Sequence, residues 1–334
     1  MSDPLSPYVD VGVARTRQWL RDDRGVRSEL RDLQAVDGIT VASLALSDPG
    51  AGSDALSRRA ALAVVPLFAP PEETPPQETP DDETNTRSEA LTQALSDQDG
   101  LVLWTPPGAT LPPPSNDAAL RQIRDAAAAL APGHSGEVAF PVTLAIRKVG
   151  DEGSYLSVQG GLSPHWARFT NQVFGQFQLD SNAIHRLPAD PAKVTQLVDF
   201  LVLIANGVRT TGHTADAPAE DHWSLQRLDG ISGVRIIAAA PASEPEAGTP
   251  VRKALRTGTR AALRALARAD TSLRLLTYVG IFRSIEEETA SIALRGLDPT
   301  TFAQLDAICL VADAQLRVLF GPAPQSGLGD SQPR

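Results

Sequence analysis

One cysteine, Cys309, in 334 residues excludes an intramolecular disulfide framework and a cysteine-rich zinc site. Long apolar runs are also missing: no uninterrupted stretch approaches the roughly 18 residues of a bilayer-spanning segment. The opening residues MSDPLSPYVD lack the basic and apolar regions of a secretory signal. These absences point to a soluble, cytoplasmic protein with no membrane partner. Lysine is scarce, at Lys148, Lys193 and Lys253 only, so the basic charge is almost all arginine. A formal net charge of −10 argues against a surface coated all over in nucleic acid, though it leaves room for a local basic groove. G-x-S-x-G, H-E-x-x-H, kinase, Walker and dinucleotide signatures are absent, as are helix-turn-helix, RNP and zinc-finger patterns. The sequence names no cofactor and contains no internal repeat.

Hydrophobic residues at 42 % and charged residues at 21 % are ordinary globular proportions, and the length fits one large domain or two closely packed ones. Composition breaks sharply at APPEETPPQETPDDETNTRSE (69–89), which is rich in Pro, Glu and Thr and has no large apolar residue. Such a segment buries too little surface to offset its ordering entropy, and it is read as a disordered acidic linker or loop. The expected organisation is an N-terminal segment 1–68, the linker, a main domain 90–322 and a loose tail 323–334.

Apolar spacing predicts helices over 11–36, divided at Gly25, and over 88–97, 117–131 and 190–207, the last capped by Asp190 and closed by Gly207. Strands are expected at 39–46, 101–104, 137–149, 175–180 and 233–240, with 58–68 ambiguous. SYLSVQ (154–159) reads as a hairpin partner of 137–149, and 307–320 as a hairpin around Asp313. The run after the arginine-rich segment near 249–270 reads as mostly helical. Helices and strands interleave without a βαβα rhythm, so the fold class is α+β, a mixed or antiparallel sheet with flanking helices.

The most unusual segment is TPVRKALRTGTRAALRALARAD (249–270). Arg252, Arg256, Arg260, Arg264 and Arg268 stand four apart, and each step turns only about 40° around a helix. With Lys253 they form one cationic side, while Val251, Leu255, Ala262 and Leu266 lie opposite. Between Val251 and Leu275 seven basic residues face one acid, so a +6 segment sits in a chain that carries −16 elsewhere. Like charges at i,i+4 cost a few tenths of a kcal/mol each, and Gly258 adds about 1 kcal/mol of helix cost. A face built at that cost calls for anions. They could come from the chain's own acids (Glu286–Glu288, or Glu72 to Glu83), from a symmetry mate, or from a phosphate backbone. A membrane-surface role is disfavoured because the apolar side lacks Trp and Phe.

Weaker chemistry lies in YLSVQGGLSPHWARF (155–169). There Gly160 and Gly161 precede a helix start at Ser163, and Arg168 falls in the first turn, an arrangement suited to an anion. His165, Asp180 and His185 could combine in acid–base or metal-assisted hydrolysis. The histidines and acids of 213–222 read as a loop with no recognised metal spacing. Cys309 reads as inert packing, and the aromatic group Trp166, Phe169, Phe174 and Phe177 as core. The sequence thus favours a non-catalytic binding or assembly protein that sets its cationic helix against a polyanion or an acidic protein surface. A phosphate-ester hydrolase or nuclease and a self-assembling homo-oligomeric subunit are the alternatives.

Overall fold

The computed structural model describes residues 6–47, 58–67, 91–105, 116–159, 169–180, 184, 187–211, 214–238, 248–280, 294–295, 300 and 303–321. The expected linker, the tail and the Glu286–Glu288 run lie outside them. In chain order the elements are α1 (Ser6–Arg24), β1 (Arg27–Val36), β2 (Ile39–Ser47), β3 (Arg58–Pro66), β4 (Leu101–Thr105), α2 (Asn116–Ala129), β5 (Ser135–Gly150) and β6 (Ser154–Gln159). They continue with β7 (Gly175–Asp180), α3 (Pro191–Thr211), β8 (Ala215–Arg227), β9 (Val234–Ala238), α4 (Gly248–Leu266), β10 (Leu273–Val279), β11 (Ala307–Ala312) and β12 (Gln315–Phe320). The fold class is α+β, with mixed sheets. The chain forms two compact units: unit 1 is Met1–Trp104, Leu130–Ser135 and Gln226–Arg334, and unit 2 is Thr105–Ala129 and Gly136–Leu225.

Unit 1 is built on a six-stranded sheet in the order β1-β2-β3-β10-β11-β12. Its centre is parallel, since β10 runs parallel to both β3 and β11, and its flanks are antiparallel. Buried parallel strands read as continuous apolar runs, which is why β3 defied a period-based assignment. Alternate residues of β3 point to opposite faces. Ala60, Leu62 and Val64 join the α1 side with Val11, Val13 and Leu20. Ala61, Ala63 and Val65 join the α4 side with Leu255, Ala262 and Leu266. Burying Leu255 and Leu266 completely contributes about 1.5–3 kcal/mol each.

Two expectations fail in unit 1. Residues 27–36 are not a second helix but the strand β1, paired antiparallel with β2. Leu30 and Leu33 happen to fit a helical spacing, yet this edge strand is exposed along most of its length and has no apolar stripe to show. Its hairpin turn is Asp37–Gly38, both at positive φ (50° and 77°), the Asp-Gly signature of a two-residue turn. Residues 273–279, expected to continue a helical run, form β10. The hairpin at Asp313 is as expected, with Asp313 and Ala314 at φ 48° and 63°.

Unit 2 places its strands in the order β6-β7-β5-β8. Here β6 is not the hairpin partner of β5. It pairs parallel with β7, and β7 pairs antiparallel with β5, so β7 lies between them. The Gly-Asp-Glu-Gly sequence signals a turn but does not decide which strand comes alongside. Residues 213–222 are expected as a loop, but 215–227 form β8. Helix α3 is capped as predicted, with the Ala192 N–H donating to Asp190 Oδ1 at 2.8 Å, but it runs through Gly207 to Thr211. By length and composition Pro191–Thr210 could cross a bilayer. It nevertheless carries Lys193 and Asp199 and packs Val194, Val198, Leu201, Ala205 and Val208 inward, all of them buried. Phe169 and Phe177 join that core edge to face, with centroids 6.2 Å apart, whereas Phe174 is exposed.

Candidate functional site

Helix α4 is two-faced as its sequence implies, and the structure accounts for its glycine. The inner stripe is Leu255, Gly258, Thr259, Ala262, Ala265 and Leu266, all buried. A Cβ at Gly258 would stand 2.9 Å from Val65 Cγ1 and 3.1 Å from Tyr278 Cε1, so glycine is what lets the helix reach the sheet. Thr259 and Tyr278 place their hydroxyls within hydrogen-bond distance, and both reach the Leu255 carbonyl, at 2.7 and 2.9 Å. Burial raises the Tyr278 phenol well above its usual range. These contacts fix the rotation of α4 about its axis and therefore the direction its other side faces.

That other side carries Lys253, Arg256, Arg260 and Arg264, every one exposed. Among the described residues none of the four has an ion-pair partner. Arg268, past the helix end, pairs with Asp37 of the β1–β2 turn at 3.0 Å, both side chains open to solvent. An exposed pair of this kind is worth about 0–1 kcal/mol. Arg252 lies in the first turns of α4. The rungs rise about 6 Å per step, so Arg256 to Arg264 covers about 12 Å of continuous positive charge. Neither proposed internal source of neutralising charge, the linker nor the Glu286–Glu288 run, falls among the described residues.

Of the second sequence-derived site, Gly160, Gly161, Ser163, His165, Arg168 and His185 lie outside the described residues. Asp180 is described: it is exposed at the end of β7, opposite Ala145 and Gln159. Cys309 is buried in β11 and its thiol is pushed up to about 12 by burial, which makes it a packing residue rather than a nucleophile.

Sequence reasoning missed a polar cluster in unit 2. His222, buried on β8, donates from Nδ1 to Glu137 Oε2 on β5 at 3.2 Å, and its Nε2 lies 3.5 Å from Glu220 Oε2. Glu137 Oε1 accepts the Ala189 N–H at 2.9 Å, which ties the entry of α3 to the sheet. The available signal was Trp223 and Leu225 alternating into the core beyond the acids. Among the described residues no group of three or more His, Cys, Asp or Glu side chains could hold a metal ion. The His222 hydrogen bond, aided by the Ala189 N–H and Lys193, holds the Glu137 carboxyl below its ordinary 4.5 against the opposing effect of burial. A carboxyl depressed in the folded state contributes stability that is complete above its unfolded value and lost as pH falls through the lower folded value. Glu137→Gln is therefore expected to flatten the acid limb of the stability profile below 4.5. Urea midpoints at about pH 6 and about pH 3.5 measure this; equal acid losses in variant and wild type would contradict the role given to Glu137.

Comparison with known proteins gives no match: no family model, curated protein or solved structure is significantly similar to this chain.

Proposed function

We propose that this chain is a non-catalytic binding protein that docks a linear polyanion on the outer face of α4. The supporting observation is that Lys253, Arg256, Arg260 and Arg264 are exposed together, with no ion-pair partner among the described residues. A helix face gains nothing intrinsic from stacked arginines, since each i,i+4 like pair is unfavourable. A partner that repeats its own negative charge turns the same spacing into affinity. With no base-reading motif in the sequence, the recognition is of backbone charge and not of sequence.

The test separates binding from folding. Arg260→Glu turns two like pairs on α4 into two opposite pairs, so the isolated helix should gain about 0.5–1 kcal/mol. The same change, combined with Arg256→Glu, should lower affinity at least about tenfold. Fluorescence anisotropy with a labelled single-stranded DNA and with polyglutamate, across a salt series, gives the readout. For the DNA, four phosphate contacts predict a slope of log affinity on log salt of about −2.8, falling to about −1.4 or less in the double variant. Binding to polyglutamate alone would identify an acidic polypeptide as the partner. The proposal fails if neither probe binds at low salt, or if the double variant binds as wild type does.

A further inference from the structure

A cleft of about 320 Å³ beside α1, wholly within unit 1, is lined on its polar walls by Arg17, Gln18, Arg21, Arg27, Ser28 and Asp229. Its cations are not treated alike. Arg21 is answered twice, by Asp22 at 2.9 Å and by Asp229 at 3.0 Å. Arg17 is half-buried, and its described partner is a neutral one: Nε and Nη2 donate to the Ser28 carbonyl at 3.3 and 3.0 Å. Those two bonds hold the guanidinium plane still, with Nη1 beside Gly230, where an added Cβ would come within 3.2 Å. Arg27 is exposed at the rim, and among the described residues no carboxylate pairs with Arg17 or Arg27. The Ser28 hydroxyl is shielded from solvent and has no hydrogen-bond partner among the described residues. A partly desolvated guanidinium held against a carbonyl, with a second cation on the same cleft, is a site that an anion completes.

We propose that this cleft binds a small organic phosphate, a phosphomonoester carried on a hydroxylated body. A carboxylate is satisfied by one guanidinium fork lying in its own plane. Two separate guanidinium groups lining one cleft suit the tetrahedral oxygens of a phosphoryl group instead. The volume sits at the small end of ligand pockets, which fits a sugar phosphate or a mononucleotide and excludes a polymer, so the site is separate from the α4 face. Asp229, with Arg21 holding it, stands at the wall as an acceptor for a ligand hydroxyl.

The experiment is calorimetric titration of the full chain at low salt with ribose 5-phosphate, AMP, inorganic phosphate, ribose and succinate. Ribose 5-phosphate or AMP should bind saturably, one per chain, with inorganic phosphate weaker, succinate at least about tenfold weaker and ribose silent. Arg27→Ala, an exposed change that leaves the core untouched, should weaken the phosphate ester about tenfold or more, and Arg17→Gln should do the same. The Arg256→Glu, Arg260→Glu double variant should bind it as wild type does. Absence of saturable binding by both esters, full affinity in Arg27→Ala, or loss of binding in the α4 double variant would each overturn the assignment.

Discussion

Trp223→Ala should cost unit 2 about 3–5 kcal/mol, the range for truncating a buried large aromatic. Trp223 is 1 % exposed, and its ring meets Phe140 edge to face with centroids 5.0 Å apart and planes at 76°. The indole N–H also donates to Asp221 Oδ2 at 3.0 Å, and Asp221 itself is only 5 % exposed. Truncation thus opens a cavity, breaks an aromatic pair and strips a donor from a buried carboxylate. Trp223→Phe separates these contributions, because it keeps most of the apolar contact and loses the donor; about 1–3 kcal/mol is expected there. Urea unfolding followed by far-ultraviolet circular dichroism measures both. A loss under about 1 kcal/mol in the alanine variant would mean that β8 is not seated as described.

Glycine-to-alanine changes in three helices should have opposite signs. Intrinsic propensity favours alanine by about 1 kcal/mol at each. At Gly12 a Cβ would sit 2.7 Å from Val64 Cγ1 and 2.9 Å from Val279 Cγ2, both on stiff β-branched side chains. Overpacking of this kind costs about 1–3 kcal/mol and should outweigh the propensity gain, and Gly258→Ala should follow the same course. At Gly207 in α3 no atom of the described residues lies within 4 Å of the added methyl, so Gly207→Ala should stabilise by about 0.5–1 kcal/mol. Val64→Ala in the Gly12→Ala background should recover part of the loss. Denaturant midpoints for the four variants decide the matter; a stabilising Gly12→Ala would show that α1 does not approach β3 so closely.

Much of the architecture was legible in the chain, for identifiable reasons. Strand β7, the β11–β12 hairpin, the cap of α3 and the two faces of α4 all arise from local rules of alternation, turn chemistry, capping and angular spacing. What escaped depended on distant partners. Strand β1 is charged because it is an edge, so its alternation carries no apolar signal. Strand β6 follows a turn yet pairs with β7, a choice made by the sheet and not by the turn. Strand β8 looked like a solvated loop because its polar residues, Asp221 and His222, are buried with partners 2 to 85 positions away. Gly258 was visible as a helix penalty, while its cause lay in Val65 and Tyr278 on other strands. The exposure of Lys253, Arg256, Arg260 and Arg264 was readable, because a single-signed helix face requires no knowledge of what packs on the other side. The cleft beside α1 was not, since Ser28 and Asp229 meet Arg17 and Arg21 only after folding.

The two helix glycines that press against the sheet converge on neighbouring residues. Gly12 meets Val64 and Val279, and Gly258 meets Val65 and Tyr278, so consecutive positions on β3 and on β10 seat one helix above the sheet and one below it. The layers of unit 1 are thus threaded through a single point, with a peptide bond of each central strand as the pin. Each helix rests on residues next in sequence to those that seat the other, so loosening one layer is expected to be felt at the backbone under the other. Unit 1 is therefore expected to unfold as one cooperative block. The ladder rides on a helix seated at that point, and the positions of its charges are set by the core beneath them.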